Sequence, residues 1–277
     1  MSITAADVNK LRSQTGAGMM DCKKALQETN GDFEAAIDYL RKKGAKISEK
    51  RADRDANEGV VVALTSEDGK YGVVVNLSCE TDFVAKNDAF VELAKEITQI
   101  ALNGRFTTLE ELLAAPFGSI TVEERVSEEV AKIGEKIGIT KFEVLQGEGV
   151  VPYIHMGYRM GVLVQVNLPL TDAIVAGAKD AAMQIAAMAP VAVDETGVST
   201  DRIERELEIG REQARNEGKP EAMIDKIAAG KLNKFYQENT LLKQSFVKDS
   251  NQTVGAYLKT IDKDLTVVAF KRVTLGA

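Results

Sequence analysis

Tyr71-Gly72-Val73-Val74-Val75-Asn76-Leu77-Ser78-Cys79-Glu80-Thr81-Asp82-Phe83 runs from a Val-rich segment directly into a Thr-Asp helix start. A β-branched run that ends on a capping residue reads as a strand feeding a helix. Upstream, Gly59 to Leu64 is a second Val-rich run, joined to the first through Ser66-Glu67-Asp68-Gly69-Lys70, where Asp-Gly supplies the backbone freedom of a tight connection. The two runs are predicted to pair as a hairpin. Downstream, Phe90, Leu93, Ala94, Ile97 and Ala101 keep a 3,4 rhythm on one helix face.

The same arrangement returns later in the chain. Met160-Gly161-Val162-Leu163-Val164-Gln165-Val166 parallels residues 71–77, is preceded by strand-like Lys141 to Gly147 and Val150 to Met156, and is followed by Thr171-Asp172 and another helix. A duplicated α/β core with antiparallel sheets accounts for this, and the competing explanation is chance likeness of two Val-rich strands. A different strand order or helix direction in the two halves rejects duplication.

Between these halves, Thr121 and Glu124 open a helix with Val126, Val130, Ile133 and Ile137 inward, ending near Gly138. Ahead of the core, Thr4-x-x-Asp7 starts a short helix through Val8 and Leu11. Gly16-Ala17-Gly18 interrupts it, a second helix fits Met20 to about Thr29, and a third places Ala36, Ile37 and Leu40 inward. Residues 1–44 thus read as a three-helix module and 45–58 as a charged linker, possible as helix. Residues 59–140 form the first half of the core and 141–277 the second. Within that second half, about 199–238 carries Ile203, Leu207, Gly210 and Ala214, then Asn216 to Pro220, then Ile224, Ala228, Leu232 and Phe235. This is a helical hairpin with a narrow seam, inserted before the closing strand Leu265 to Thr274. The fold class expected is α+β.

Composition narrows the function. The chain of 277 residues has 44% apolar and 28% charged residues, no Trp and two distant cysteines, which disfavours disorder, a disulfide framework or a zinc site. There is no signal-like start and no run of roughly 20 apolar residues, so the expected location is the cytoplasm, with no membrane partner. Net charge is −7, yet residues 1–54 carry eleven Lys and Arg against eight Asp and Glu, a balance of +3 that leaves −10 for the rest. That asymmetry suits an acidic protein surface and is too small for phosphate-backbone binding, so no direct nucleic-acid contact is expected.

Enzyme motifs are missing: there is no Gly-x-Gly-x-x-Gly after a strand, no phosphate-binding Gly-x4-Gly-Lys, no His-Glu-x-x-His and no Gly-x-Ser-x-Gly. Cys79 and His155 make the one catalytic rival, because a thiolate is favoured just before a helix start. Neither a catalytic group nor a metal or cofactor is expected. Two stretches suit protein contact instead. Met19 and Met20 stand at the Gly-rich turn beside Arg12; they either plug the three-helix core or form an adaptable apolar knob. Phe83 either folds inward beneath a Thr81 or Asp82 cap or stands out as an aromatic wedge beside a carboxylate.

Leu11 to Leu26 and Thr81 to Lys86 resemble the signature blocks of bacterial elongation factor Ts. The likeness extends to Val130-Ala131-Lys132-Ile133-Gly134-Glu135, Tyr153-Ile154-His155, Arg159 to Val164, the hairpin, and Ser245-Phe246-Val247 with Thr253-Val254. The resemblance implies a guanine-nucleotide exchange factor acting on elongation factor Tu, in its GDP-bound and nucleotide-free forms. It further implies a ubiquitin-associated-like N-terminal bundle, a two-part core and a coiled-coil hairpin, with self-association through core or hairpin open. Thr81, Asp82, Phe83 and Val84 are then the segment that intrudes near the GTPase's magnesium and nucleotide. Arg12, Met19 and Met20 are contacts of the N-terminal module. His155 is either a contact of the second core half or a satisfied sheet histidine. An adapter that binds a partner through its helical module, without altering nucleotide release, is the alternative function.

Overall fold

The computed structural model describes residues 3–51 and 53–276, and of Ala45, Ser48 and Glu49 the backbone alone. The chain divides into two compact units: one holds the residues up to Val62, Val74–Glu143 and those from Val273 on, the other Ala63–Val73 and Val144–Arg272.

The first unit begins with α1 (Ala5–Thr15), α2 (Met19–Glu28) and α3 (Phe33–Lys50). Thr4 and Asp7 form the expected capping box, and Gly16 closes α1 at φ 68°, a left-handed conformation that costs glycine nothing. Val8, Leu11, Ala17, Cys22, Ala25, Leu26, Ala36 and Leu40 make the small core these helices share. The third helix runs past the expected module end at residue 44, continuing through Gly44 to Lys50. The remainder of the stretch read as a linker takes in Ala52, which lies outside the described residues.

β1 (Glu58–Thr65) and β2 (Tyr71–Cys79) follow, then a single turn α4 (Asp82–Ala85) and the longer α5 (Asp88–Gly104), whose 3,4 stripe is buried as expected. Next come elements that were not foreseen: α6 (Leu109–Ala114), with its own Thr108–Glu111 capping box, and the tiny hairpin of β3 (Pro116–Phe117) and β4 (Ile120–Thr121). α7 (Val122–Ile133) opens on the predicted Thr121–Glu124 capping box but ends five residues before Gly138. Gly134 terminates it at φ 79°, and the buried Ile137 belongs to the approach to β5 (Gly138–Gln146) rather than to the helix. α7 packs along α3, and a Cβ on Gly44 would come within 2.9 Å of both the Ser127 carbonyl and the Ala131 Cβ.

In the second unit β6 (Gly149–His155) pairs antiparallel with β7 (Met160–Val166). α8 (Asp172–Met188) packs on both, burying Ile174, Ala178, Ala181, Ala182 and Ile185 with Val162, Val164 and Val166. α9 (Thr200–Asn216) and α10 (Glu221–Asn239) form the expected helical hairpin, with Gly210 packed against Ala228 and Ala214 and Ile224 buried. β8 (Ser245–Phe246), β9 (Asp249–Thr253), α11 (Val254–Ile261) and β10 (Val267–Thr274) complete the chain.

The two larger sheets have the orders β1-β2-β5 and β10-β7-β6. In each, the second strand of the early hairpin is central and a strand from much later closes its other side. The strand order that would reject duplication is therefore not met. The architecture is α+β, and no helix among the described residues is long and apolar enough to cross a membrane.

Candidate functional site

α4 is one turn long and buries none of its residues. A helix of one turn does not hold itself in water, since its nucleation cost exceeds what its few hydrogen bonds return. Its form is imposed locally by Thr81, whose hydroxyl accepts from the Val84 amide at 3.4 Å, and at its far end by Asn87, which caps α5. Asp82 is ion-paired to Lys86 at 2.6 Å, and that hydrogen bond holds its carboxyl below the usual aspartate range. Phe83 projects from this turn with 83% of its surface exposed, so the inward-folding alternative is overturned. An aromatic side chain this bare has no role in the packing of its own unit.

The base of the turn is held from two sides. Glu135, released by the stop at Gly134, accepts the Glu80 and Thr81 amides at 3.1 Å each and the Thr81 hydroxyl at 2.7 Å. Glu80 in turn accepts the Lys136 amide at 2.6 Å and meets Arg51 at 2.6 Å and Arg54 at 3.2 Å. Burial works against ionising Glu80. The Lys136 amide, then the Arg51 and Arg54 guanidiniums, more than offset it and lower its pKa below the usual glutamate value. Neither glutamate stood out in the sequence as a site residue, although Glu135 closes one of the blocks quoted above.

Cys79 lies under the same turn, fully buried, its thiol donating to the Thr81 carbonyl at 3.2 Å. Desolvation, reinforced by the neighbouring Glu135 charge, pushes its pKa up to about 12. The expectation that a helix start would favour its thiolate is thus overturned: burial outweighs the field of a single turn. A buried thiol held in its protonated form speaks against the Cys79–His155 chemistry.

Met19 and Met20 begin α2, 53% and 72% exposed, and neither joins the three-helix core. The core-plugging alternative is therefore corrected, because Val8, Leu11 and Leu26 already fill that space. Arg12 is likewise exposed, on the last turn of α1. The Gly16 bend before the methionines is covered by the Lys132 stem of α7, which would lie 3.1 Å from a Cβ at that position. α7 thereby touches the bend that leads into the methionines, while the residues just after it hold the turn carrying Phe83.

His155 sits in the other unit, at the end of β6 opposite Met160, half-buried, with its Nδ1 2.9 Å from the Tyr153 hydroxyl. The turn beyond it takes Met156, Gly157 and Tyr158 through positive φ and leaves Met156 69% exposed. The candidate residues therefore occupy three places: a capped turn, a methionine turn and a strand end.

Comparison with known proteins is consistent along the chain. The family model described as Elongation factor TS matches residues 80–277. The chain is 52% identical to Elongation factor Ts of Amoebophilus asiaticus over 277 residues, 100% of each chain. It is 51% identical to Elongation factor Ts of Christiangramia forsetii, covering 99% of each, and 45% identical to that of Chlorobaculum tepidum, again covering 99% of each. The chain belongs to the elongation factor Ts family.

Proposed function

We propose that this chain releases GDP from elongation factor Tu by inserting the Asp82–Phe83 turn near the GTPase's magnesium and nucleotide. Membership of the elongation factor Ts family supports a nucleotide-exchange role in translation elongation. The observation that carries the finer reading is the exposure of Phe83 on a turn its own unit braces but does not cover. An apolar ring held out beside a charged carboxylate can open a partner's packing while the charge disturbs a neighbouring cation. Thr81 caps the turn by accepting from the Val84 amide, so all four residues act together.

In the same reading the N-terminal three helices are a ubiquitin-associated-like module that docks beside the nucleotide pocket through Arg12, Met19 and Met20. Two exposed thioethers on a helix start suit an adaptable apolar contact. His155, with the exposed Met156 beyond it, contributes from the second unit to another surface of the partner. The hairpin is a short coiled coil and a site for partner or self-association. The protein works in the cytoplasm, on a protein partner, as a factor rather than an enzyme.

Exchange of this kind needs no acid or base. The factor binds nucleotide-free GTPase more tightly than the GDP-bound form, and by linkage GDP weakens factor binding by the same ratio. A thousandfold faster release asks for about 4 kcal/mol off the exit barrier. The test is calorimetric titration of elongation factor Tu with and without saturating GDP. The reading expects much tighter binding to the empty form; equal affinity for both forms returns the chain to the adapter alternative.

A further inference from the structure

We propose that Glu135 is the positioning residue of the Phe83 wedge: its carboxylate holds the Glu80–Thr81 turn and sets the direction in which α4 projects. The proposal rests on the wedge reading above. A four-residue helix with no fully buried residue, whose Val84 and Ala85 are only half-buried, has little packing of its own to aim it. The densest hold on the turn is at its base, where the carboxylate of Glu135 receives three donors from two consecutive residues.

The geometry also fixes a proton. Because the Thr81 hydroxyl donates to Glu135 Oε1 at 2.7 Å, its lone pairs remain for the Val84 amide at 3.4 Å. Glu135 thus decides that Thr81 caps α4 as an acceptor. The two segments are tied reciprocally: the Glu80 amide donates to Glu135, and the Lys136 amide donates to the Glu80 carboxylate. Arg51 and Arg54 pair with Glu80 and offset its charge beside Glu135. Buried Cys79 adds a third restraint through the Thr81 carbonyl. Pre-orienting an anchor before it meets its partner removes an ordering cost from the bound state.

The experiment compares wild type, Glu135→Ala, Glu135→Asp and Glu135→Gln by two readouts. Amide hydrogen exchange in the free protein reports on the turn without any partner. Glu135→Ala is expected to speed exchange at the Glu80 and Thr81 amides by at least about tenfold. Glu135→Gln, whose side-chain oxygen still accepts, is expected to restore most of the protection. Maximal GDP release from elongation factor Tu at saturating factor is expected to fall about tenfold in Glu135→Ala, with half-saturation moving less than about threefold, because aim rather than contact area is lost. Should the alanine variant not fold, Glu135→Asp carries the test, since the shorter arm cannot reach all three donors and is expected to shift both readouts in the same direction. Unchanged amide protection overturns the contact, and lost protection with an unchanged release rate overturns the positioning role. Failure of wild type itself to speed GDP release overturns the exchange reading and with it the positioning role, while the amide readout still decides whether Glu135 holds the turn.

Discussion

Replacing Phe83 by alanine separates what the ring does for its own fold from what it does for a partner. A phenylalanine presents ~150–250 Å² of surface, and with 83% of this residue exposed less than a fifth of it is covered. At ~25 cal/mol per Å² the covered part contributes under ~1 kcal/mol to folding. The uncovered part, buried in a partner, carries ~3–5 kcal/mol by the same coefficient, of which ordering costs take a share. Phe83→Ala is therefore expected to leave the urea midpoint nearly unchanged and to slow factor-stimulated GDP release on the order of a hundredfold. Binding to nucleotide-free elongation factor Tu should weaken less, since the methionine turn and second-unit surfaces remain. The assay is stopped-flow loss of a fluorescent GDP analogue at several factor concentrations, paired with a denaturation curve. A release rate equal to wild type refutes the wedge, and a large fall in stability refutes the claim that the ring packs on nothing of its own.

Three further outcomes follow from the same geometry. Gly44→Ala gains about 1 kcal/mol of helix propensity but forces a Cβ to 2.9 Å from the Ser127 carbonyl and Ala131 Cβ, so a net loss of stability of ~0–2 kcal/mol is expected by denaturation. With its thiol pushed to about 12, Cys79 is expected to resist iodoacetamide at pH 7.5 in the folded protein and to react once the chain is unfolded; mass spectrometry of the labelled peptide reads the difference. Glu80, whose folded pKa lies below its ordinary 4.5, contributes stability that is present above pH 4.5 and lost as pH falls through the lower folded value. The gap in unfolding free energy between wild type and Glu80→Gln should therefore shrink between pH 6 and pH 3, and a gap independent of pH contradicts the ionic role.

Strands and helix starts were legible because their signals are local. The Val-rich runs, Asp68-Gly69 and the Thr-x-x-Asp or Thr-x-x-Glu caps at Thr4 and Thr121 each act within a few residues. Helix ends were less so. Gly44 reads as punctuation, yet it lies mid-helix because the missing Cβ lets α7 approach closely. The apolar rhythm Val126, Val130, Ile133, Ile137 runs on past Gly134, and nothing in periodicity says that Ile137 is buried from a different element. At the site, Phe83 and the methionines were found as residues, but only the family resemblance favoured their exposure, since both outcomes fit the same letters. The bracing by Glu135 spans more than fifty positions of sequence, so only the folded chain brings it to Thr81.

The most direct measurement loads elongation factor Tu with fluorescent GDP, adds this protein at a tenth of the GTPase concentration with excess unlabelled GDP, and follows the loss of signal. Complete release far faster than the spontaneous rate, with each factor molecule turning over several GTPase molecules, is the predicted result. Release at the spontaneous rate, with the factor nonetheless bound, contradicts the exchange mechanism.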